Sequence, residues 1–170
     1  MNIETERLFI REFDIGDVND LHEILGDDET MRNCEPAYDI EKTDKFLRDF
    51  CIGKKGALAA VLKDSGKVIG YILFRPDCGP DVRELGWIFN RRYWRMGLAF
   101  EAMSALIEHA FSEMGVHKVF AEAIDPVKSV GLMRKLGMKP EGVWRKHTKD
   151  PDGNWADIYF YGLLSEDFKH

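Results

Sequence analysis

The chain has no run of about 18 apolar residues, the length a membrane-spanning helix requires, so no span is expected. Its first residues, MNIETERL, are charged and alternating and lack the apolar stretch of a secretory signal. Cysteine is scarce. Cys34, Cys51 and Cys78 are an odd number without metal-ligand spacing, which speaks against a disulfide framework and a metal site and fits a reduced, cytoplasmic setting. Basic charge is also short: 24 Lys and Arg face 30 Asp and Glu, for a net charge of -6, the reverse of the basic footprint that nucleic-acid binding needs. No Lys follows a glycine turn in the P-loop fashion. The histidines His22, His109, His117, His147 and His170 form no ligand spacing or triad. Repeats, low-complexity tracts and linkers are absent.

What is present suits one domain over residues 1–170, with 45% hydrophobic and 32% charged residues supplying a core and a solvated surface. Residues 7–13 alternate as a strand. Asp17 is placed to cap a helix running to about Gly26, with Leu21, Ile24 and Leu25 as its apolar stripe. Residues 27–38 read as a loop, and 39–51 as a second helix bearing Phe46, Leu47 and Phe50. Strands are expected over 57–62 and 68–74, joined by the turn KDSGK, and over 84–89. A long helix follows over 97–115 and ends at a glycine. Then come a strand over 119–124, a helix from Val127 or Lys128 to Leu136, and a final hairpin with strands at 143–148 and 157–163. Trp144, Trp155, Tyr159 and Tyr161 are expected in that hairpin's core. The pattern is a mixed α/β sheet with helices on both faces, in which the strand-helix-strand unit over 84–124 makes a right-handed parallel connection. Ligands in such sheets sit at the carboxyl ends of strands, where residues 91–98 fall.

The segment Glu84 to Ala102, ELGWIFNRRYWRMGLAFEA, carries the chemistry. It passes from an apolar strand through a basic and aromatic turn straight into a helix. The first amides of a helix have no partner within it, and the helix dipole adds roughly half a positive charge there. The small residues Gly97 and Ala99 at this helix start let a phosphate approach the main chain, which makes the turn an anion seat.

The stretch resembles the acetyl-coenzyme A site of the GNAT superfamily of N-acetyltransferases, whose pattern is Gln or Arg, two residues, Gly, one residue, then Gly or Ala. Gly97 and Ala99 fill the small positions, Trp94 stands where Gln or Arg is usual, and Arg95 stands where a first Gly is common. Tyr93-Trp94 and Glu101-Ala102 look like the branch that acetylates ribosomal-protein N-termini. The likeness extends to Thr5-Glu6-Arg7-Leu8 with Ile10-Arg11, to Ser129 with Leu132 and Lys135 to Met138, and to Glu141-Gly142, Trp155-Ala156-Asp157 and Tyr161 to Leu164. It implies a GNAT-type fold: a central, twisted mixed sheet flanked by helices on both faces.

By this resemblance the amides of Arg95, Met96, Gly97, Leu98, Ala99 and Phe100 hold the pyrophosphate of acetyl-coenzyme A, with side-chain charge from Arg91, Arg92 and Arg95. The pantetheine arm lies along Trp87, Ile88 and Phe89, where a main-chain amide polarises the thioester carbonyl. Glu84 matches a Glu that serves relatives as base, usually through water; its competing role is a surface ion pair with Arg83. Met133 and Pro126 replace the usual Tyr and Asn, leaving Ser129 to protonate or orient the thiolate, or simply to cap its helix. Asp28, Glu29, Glu35, Tyr38 and Asp157 are candidates for an acidic amine pocket, each also readable as solvated surface. The cysteines lie outside the motifs, so direct attack in a ternary complex is expected rather than an acyl-cysteine intermediate. The implied acceptor is a primary amine, either a protein N-terminus or a small amine; neither metal, nucleic acid nor membrane is implied, and relatives often form homodimers. An idle acyl-coenzyme A binding module is the competing class.

Overall fold

In a computed structural model, residues 1–168 are described. Eight strands form one sheet in the order β1-β2-β3-β4-β5-β6-β8-β7. They are β1 (Asn2–Glu4), β2 (Leu8–Glu12), β3 (Ala57–Leu62), β4 (Val68–Pro76), β5 (Val82–Phe89), β6 (Lys118–Ala123), β7 (Lys139–Lys149) and β8 (Trp155–Leu164). The β5–β6 pair is parallel and every other pair is antiparallel. The helices are α1 (Val18–Leu25), α2 (Asp28–Met31), α3 (Ile40–Phe46), α4 (Leu98–Ser112) and α5 (Lys128–Lys135).

Strand alternation sorts the side chains to two faces. On one face Leu8, Ile10, Ile72, Phe74, Leu85, Phe89 and Val119 pack with α4 residues Leu98, Met103, Leu106 and Ile107 and with Val130 and Met133 of α5. On the other, Ala59, Val61, Val68 and Tyr71 pack with Leu21, Ile24 and Leu25 of α1 and with Leu47 and Cys51 beyond α3. The expected helices on both faces are therefore present, each held by an apolar stripe.

Several local readings change. Asp17 does not cap α1 with its side chain. Asp14 begins the preceding turn instead, and the Asp17 carboxylate accepts from the Asp14 amide at 2.8 Å and from the Arg11 guanidinium at 2.7 and 2.9 Å. The stretch read as a loop contains α2, because Asp27 accepts from both the amide and the hydroxyl of Thr30 and so nucleates a turn. The second helix ends as an α-helix at Phe46 and continues as a wider π-type turn through Gly53. Trp144 on β7 and Trp155 at the start of β8 are 51% and 62% exposed rather than buried, in a hairpin whose outer strand is exposed almost throughout; Tyr161 is buried as expected.

The parallel pairing is short. Val82–Leu85 of β5 matches Lys118–Ala121 of β6 and stops there. Beyond that point β5 pairs only with β4, as far as Gly70 opposite Phe89, and β6 only with β8. The two strands thus part at their carboxyl ends and leave one edge of β5 unpaired.

Candidate active site

The Asn90 amide donates to the Ile69 carbonyl on β4 at 2.9 Å. Main-chain groups alternate along a strand, so Ile88 and Gly86 also turn theirs toward β4, while Trp87 and Phe89 turn theirs into the gap. Of the three residues expected along the pantetheine arm, Trp87 and Phe89 present main-chain groups to the cleft and Ile88 contributes its side chain. The Phe89 carbonyl accepts the indole N–H of Trp94 at 2.7 Å. Trp94, at the family's Gln or Arg position, thereby ties the turn back onto the end of β5.

The turn then enters α4. Gly97 lies at φ +79° and begins the helix without a side-chain cap, so the first-turn amides are open to the cleft. Arg95 sits at φ +63°. Unlike the Gly usual at this position, an Arg does not adopt this region freely; the chain takes it at a cost of about 1–2 kcal/mol. Strain of this kind persists only where the surroundings fix the backbone, and they do here. The Arg7 guanidinium donates to the Met96 carbonyl at 2.9 Å and to Glu101 at 2.7 Å, and Glu101 also accepts from the Arg7 amide and, at 2.6 Å, from the Thr5 hydroxyl. Burial works to raise the Glu101 carboxyl, but hydrogen bonds from Thr5 and Arg7 and the charge of Arg7 outweigh it and hold it below its ordinary value. Thr5, Arg7 and Glu101 were visible only as family marks; their shared task is to lock the turn to the start of the sheet.

Two clefts meet at the parted strands. The larger, about 750 Å³, lies on the α4–α5 side and is lined by Trp87, Ile88, Phe89, Arg95, Gly97, Leu98, Ala99, Phe100 and Ser129, all named from sequence. Lys128 and Lys135 of α5 complete its wall, their ammonium groups 5.4 Å and 4.3 Å from the ring centres of Trp94 and Phe100. Arg92 and Met96 do not line it. Arg92 is turned toward Glu23 at 3.9 Å and its amide donates to Asn90, while Met96 projects outward and engages Arg7 through its carbonyl. Arg91 is bound to Asp27 at 3.0 Å, so only Arg95 of the three arginines reaches the cleft.

The smaller cleft, about 400 Å³, opens on the opposite face and contains Tyr71, Glu84, Glu122, Met133 and Thr148. Trp87, Ile88, Ser129, Asp125, Asn33 and Cys34 line both clefts and form their seam. Ser129 does not cap α5; Asp125 does, accepting from the amides of Val127 and Lys128 at 2.8 and 2.9 Å. The Ser129 hydroxyl is thus left at the seam. Glu84 pairs with Arg75, at 2.6 Å to Nε and 2.5 Å to Nη2, and not with Arg83. The reason is geometric: adjacent strand residues point to opposite faces, whereas Arg75 lies directly across from Glu84 on β4. Among the proposed acidic residues, Glu35 is occupied by Tyr38 and Lys42 and Asp157 by the Lys146 amide. Cys34 is exposed as a residue, yet the protein crowded around its sulfur, then the charge of Glu35, pushes the thiol up, which disfavours it as a nucleophile.

Residues 7–139 match the family described as the Acetyltransferase (GNAT) domain. The chain belongs to the GNAT acetyltransferases. As a GNAT acetyltransferase it is 33% identical over 171 residues to the uncharacterized N-acetyltransferase YnaD of Bacillus subtilis, covering 99% of each chain. It superposes on a GNAT-family acetyltransferase of Bacillus anthracis with a TM-score of 0.90 and 30% identity, over 98% of this chain and 99% of that one. A partial likeness, 29% identity over 85 residues, reaches the ribosomal protein uS5-alanine N-acetyltransferase of Escherichia coli, covering 49% of this chain and 43% of that one.

Proposed function

We propose that this acetyltransferase moves the acetyl group of acetyl-coenzyme A to a primary amine by direct attack in a ternary complex. One observation carries the reading: the unpaired edge of β5 runs straight into the uncapped start of α4 at Gly97. The open amides around Gly97 hold a diphosphate by hydrogen bonds that need no side chain. Trp87 and Phe89 offer a strand edge on which the amide-rich pantetheine arm pairs as an added strand. An amide from that edge, aimed at the thioester carbonyl, stabilises the oxyanion as the amine adds, worth about 3 kcal/mol where geometry is good.

Two protons must move. The attacking ammonium loses one to a carboxylate of the smaller cleft, where the resemblance names Glu84, directly or through water. The departing thiolate gains one or is hydrogen-bonded, and Ser129 is the uncommitted hydroxyl at the seam. Met133 is buried and brings no proton to share, so Ser129 stands without the usual Tyr. The partial likeness to a ribosomal-protein acetyltransferase keeps a protein N-terminus among the acceptors, beside a small amine.

Calorimetry with acetyl-coenzyme A, followed by thiol release with an alanine-starting peptide, n-butylamine and spermidine, tests the reading. Saturable binding with release in the presence of one of these amines is expected. Absence of binding defeats it, and binding with no release above hydrolysis favours an idle acyl-coenzyme A module.

A further inference from the structure

Asn90 stands where β5 leaves the sheet. It is 3% exposed and lines neither cleft. A primary amide buried this deeply needs partners at both ends. Its Oδ1 accepts from the Arg92 amide at 3.1 Å, and its Nδ2 donates to Glu23 Oε2 at 3.2 Å. Those partners fix which end is which, because a main-chain N–H only donates and an ionised carboxylate only accepts. Behind Glu23 the connection continues. Lys67 Nζ donates to Glu23 at 3.0 Å and to Asp20 at 2.6 Å, and Asp20 accepts from the Val68 amide at 2.9 Å. One polar chain therefore runs from the first residue of β4, across α1, to the turn that follows β5.

The turn held in this way folds back on the end of β5. The Arg92 amide returns to the Asn90 side chain, the Tyr93 amide to the Asn90 carbonyl at 2.9 Å, and the Trp94 indole to the Phe89 carbonyl at 2.7 Å. The Phe89 carbonyl and the Asn90 N–H belong to one trans peptide unit and point opposite ways. With the N–H on Ile69 of β4, the carbonyl faces the gap. The Asn90 side chain sets the direction the chain takes next, and so brings the Trp94 indole back to that carbonyl. The start of α4 is held separately, by Arg7, Thr5 and Glu101 from the far side. Asn90 thus governs the end of β5, where the thioester is placed, and not the diphosphate seat at Gly97.

We propose that Asn90, backed by Glu23 on α1, is a positioning residue for acetyl transfer: it fixes the main-chain groups of Phe89 in the gap, and its loss lowers kcat far more than it weakens carrier binding. A misplacement of about 1 Å at a reacting centre costs up to about a hundredfold in rate. A single amide-to-carboxylate tie is enough to prevent one, because the strand end has no partner on its other edge. The inference rests on the acetyl-transfer reading and adds to it a residue that touches neither substrate.

Thiol release is measured with whichever of the alanine-starting peptide, n-butylamine and spermidine the wild type turns over, well below each variant's Tm. Calorimetry with coenzyme A and hydrogen exchange of the Trp94 indole N–H run beside it. Asn90→Ala is expected to lower kcat at least tenfold, to leave coenzyme A affinity within threefold, and to quicken indole exchange at least tenfold. Asn90→Asp sets a second carboxylate against Glu23, so one of the two is protonated more readily. Its activity relative to wild type should recover as pH falls, since the introduced carboxyl then donates to Glu23 as the amide does. Asn90→Asp combined with Glu23→Gln exchanges donor and acceptor, keeps the net charge and every hydrogen bond, and should return kcat and indole exchange to within threefold of wild type. Glu23→Ala, at a partly exposed site on α1, should lower kcat severalfold and decides the matter if Asn90→Ala does not fold. A kcat within twofold of wild type in the deciding variant, a loss confined to coenzyme A affinity, unchanged indole exchange, or an exchanged pair no better than Asn90→Asp overturns the proposal while the acetyl-transfer reading stands. No release by the wild type with any of the three amines overturns both.

Discussion

The two clefts that meet at Trp87 and Ser129 are made of different material. The larger is built from main chain: the free edge of β5, the turn at Arg95 and Gly97, and the open first turn of α4. The smaller is built from side chains contributed by β4, β5, β6 and the stretch after α2. Main-chain recognition suits a ligand part that never varies, because the donors are fixed by the fold and tolerate drift in side chains. Side-chain recognition suits the part that differs among relatives. Trp94 and Arg95 show the tolerance directly: both depart from the usual residues, yet the turn keeps its left-handed positions at Arg95 and Gly97.

The sharpest way to break this contrast is at Gly97. Gly97→Glu places a β-carbon at a φ where L residues are strained by about 1–2 kcal/mol, beside the Arg7 guanidinium at 3.5 Å. It also sets a carboxylate near the proposed diphosphate seat. Loss of one charge-assisted hydrogen bond, at about 1.5–3 kcal/mol, corresponds to roughly ten- to a hundredfold in affinity. Calorimetry is expected to show acetyl-coenzyme A binding weakened by at least that much, with Gly97→Ala in between because it adds strain without charge. Unchanged affinity in Gly97→Glu removes the main-chain seat from the argument.

How much could be read beforehand follows the same division. The phosphate seat is local: Glu84 to Ala102 is contiguous, and strand, turn and helix follow one another in the chain, so periodicity and the small residues Gly97 and Ala99 reveal it. The acceptor side is assembled by register. Glu84 was visible as a lone acidic residue in an apolar strand, but its pairing with Arg75 rather than Arg83 depends on which β4 residue lies opposite. Glu122 reads as the solvated side of a strand; only the parallel match of Glu84 with Phe120 puts it on the face that the smaller cleft opens to. Tyr71 reads as core, and most of it is; the exception is the edge that lines the smaller cleft. The hidden α2 had a recoverable signal, an Asp27 three residues before Thr30, masked by the polar run around it.

A smaller effect is expected from the clamp behind the turn. Glu101→Ala removes the acceptor for Thr5, the Arg7 amide and the Arg7 guanidinium together. Arg7 is 43% exposed, so solvent discounts the ion pair, and a loss of about 1–2 kcal/mol is expected. For a chain of this size that lowers Tm by about 2–8 °C. The sign with pH is fixed by the depressed Glu101 carboxyl: its contribution is complete above the ordinary carboxylate range and disappears as pH falls through the lower folded value. Wild type and Glu101→Ala should therefore converge in Tm in acid. Acetyl-coenzyme A affinity should fall with stability in this variant, because the Met96 carbonyl loses the cation that Glu101 holds in place; a variant that is destabilised yet binds normally separates the clamp from the seat.

The smallest effect is expected where the two clefts join. Ser129 borders both, and with Asp125 capping α5 its hydroxyl has no structural duty. Ser129→Ala should leave Tm within a degree or so, since an exposed-side substitution without lost partners changes stability by about 0.5 kcal/mol or less. If the hydroxyl meets the departing sulfur, it contributes in the transition state alone, and one neutral hydrogen bond of about 1 kcal/mol amounts to roughly fivefold in rate. The loss should then appear in kcat with KM for both substrates unchanged, the mark of an interaction absent from the ground state. A poorer leaving thiol makes the help of Ser129 more valuable, and a better one makes it dispensable. Comparing acetyl-coenzyme A with an acetyl thioester of lower thiol pKa should therefore shrink the gap between Ser129→Ala and wild type. A gap of constant size, or one that moves KM for the amine instead, assigns Ser129 to the acceptor side of the seam.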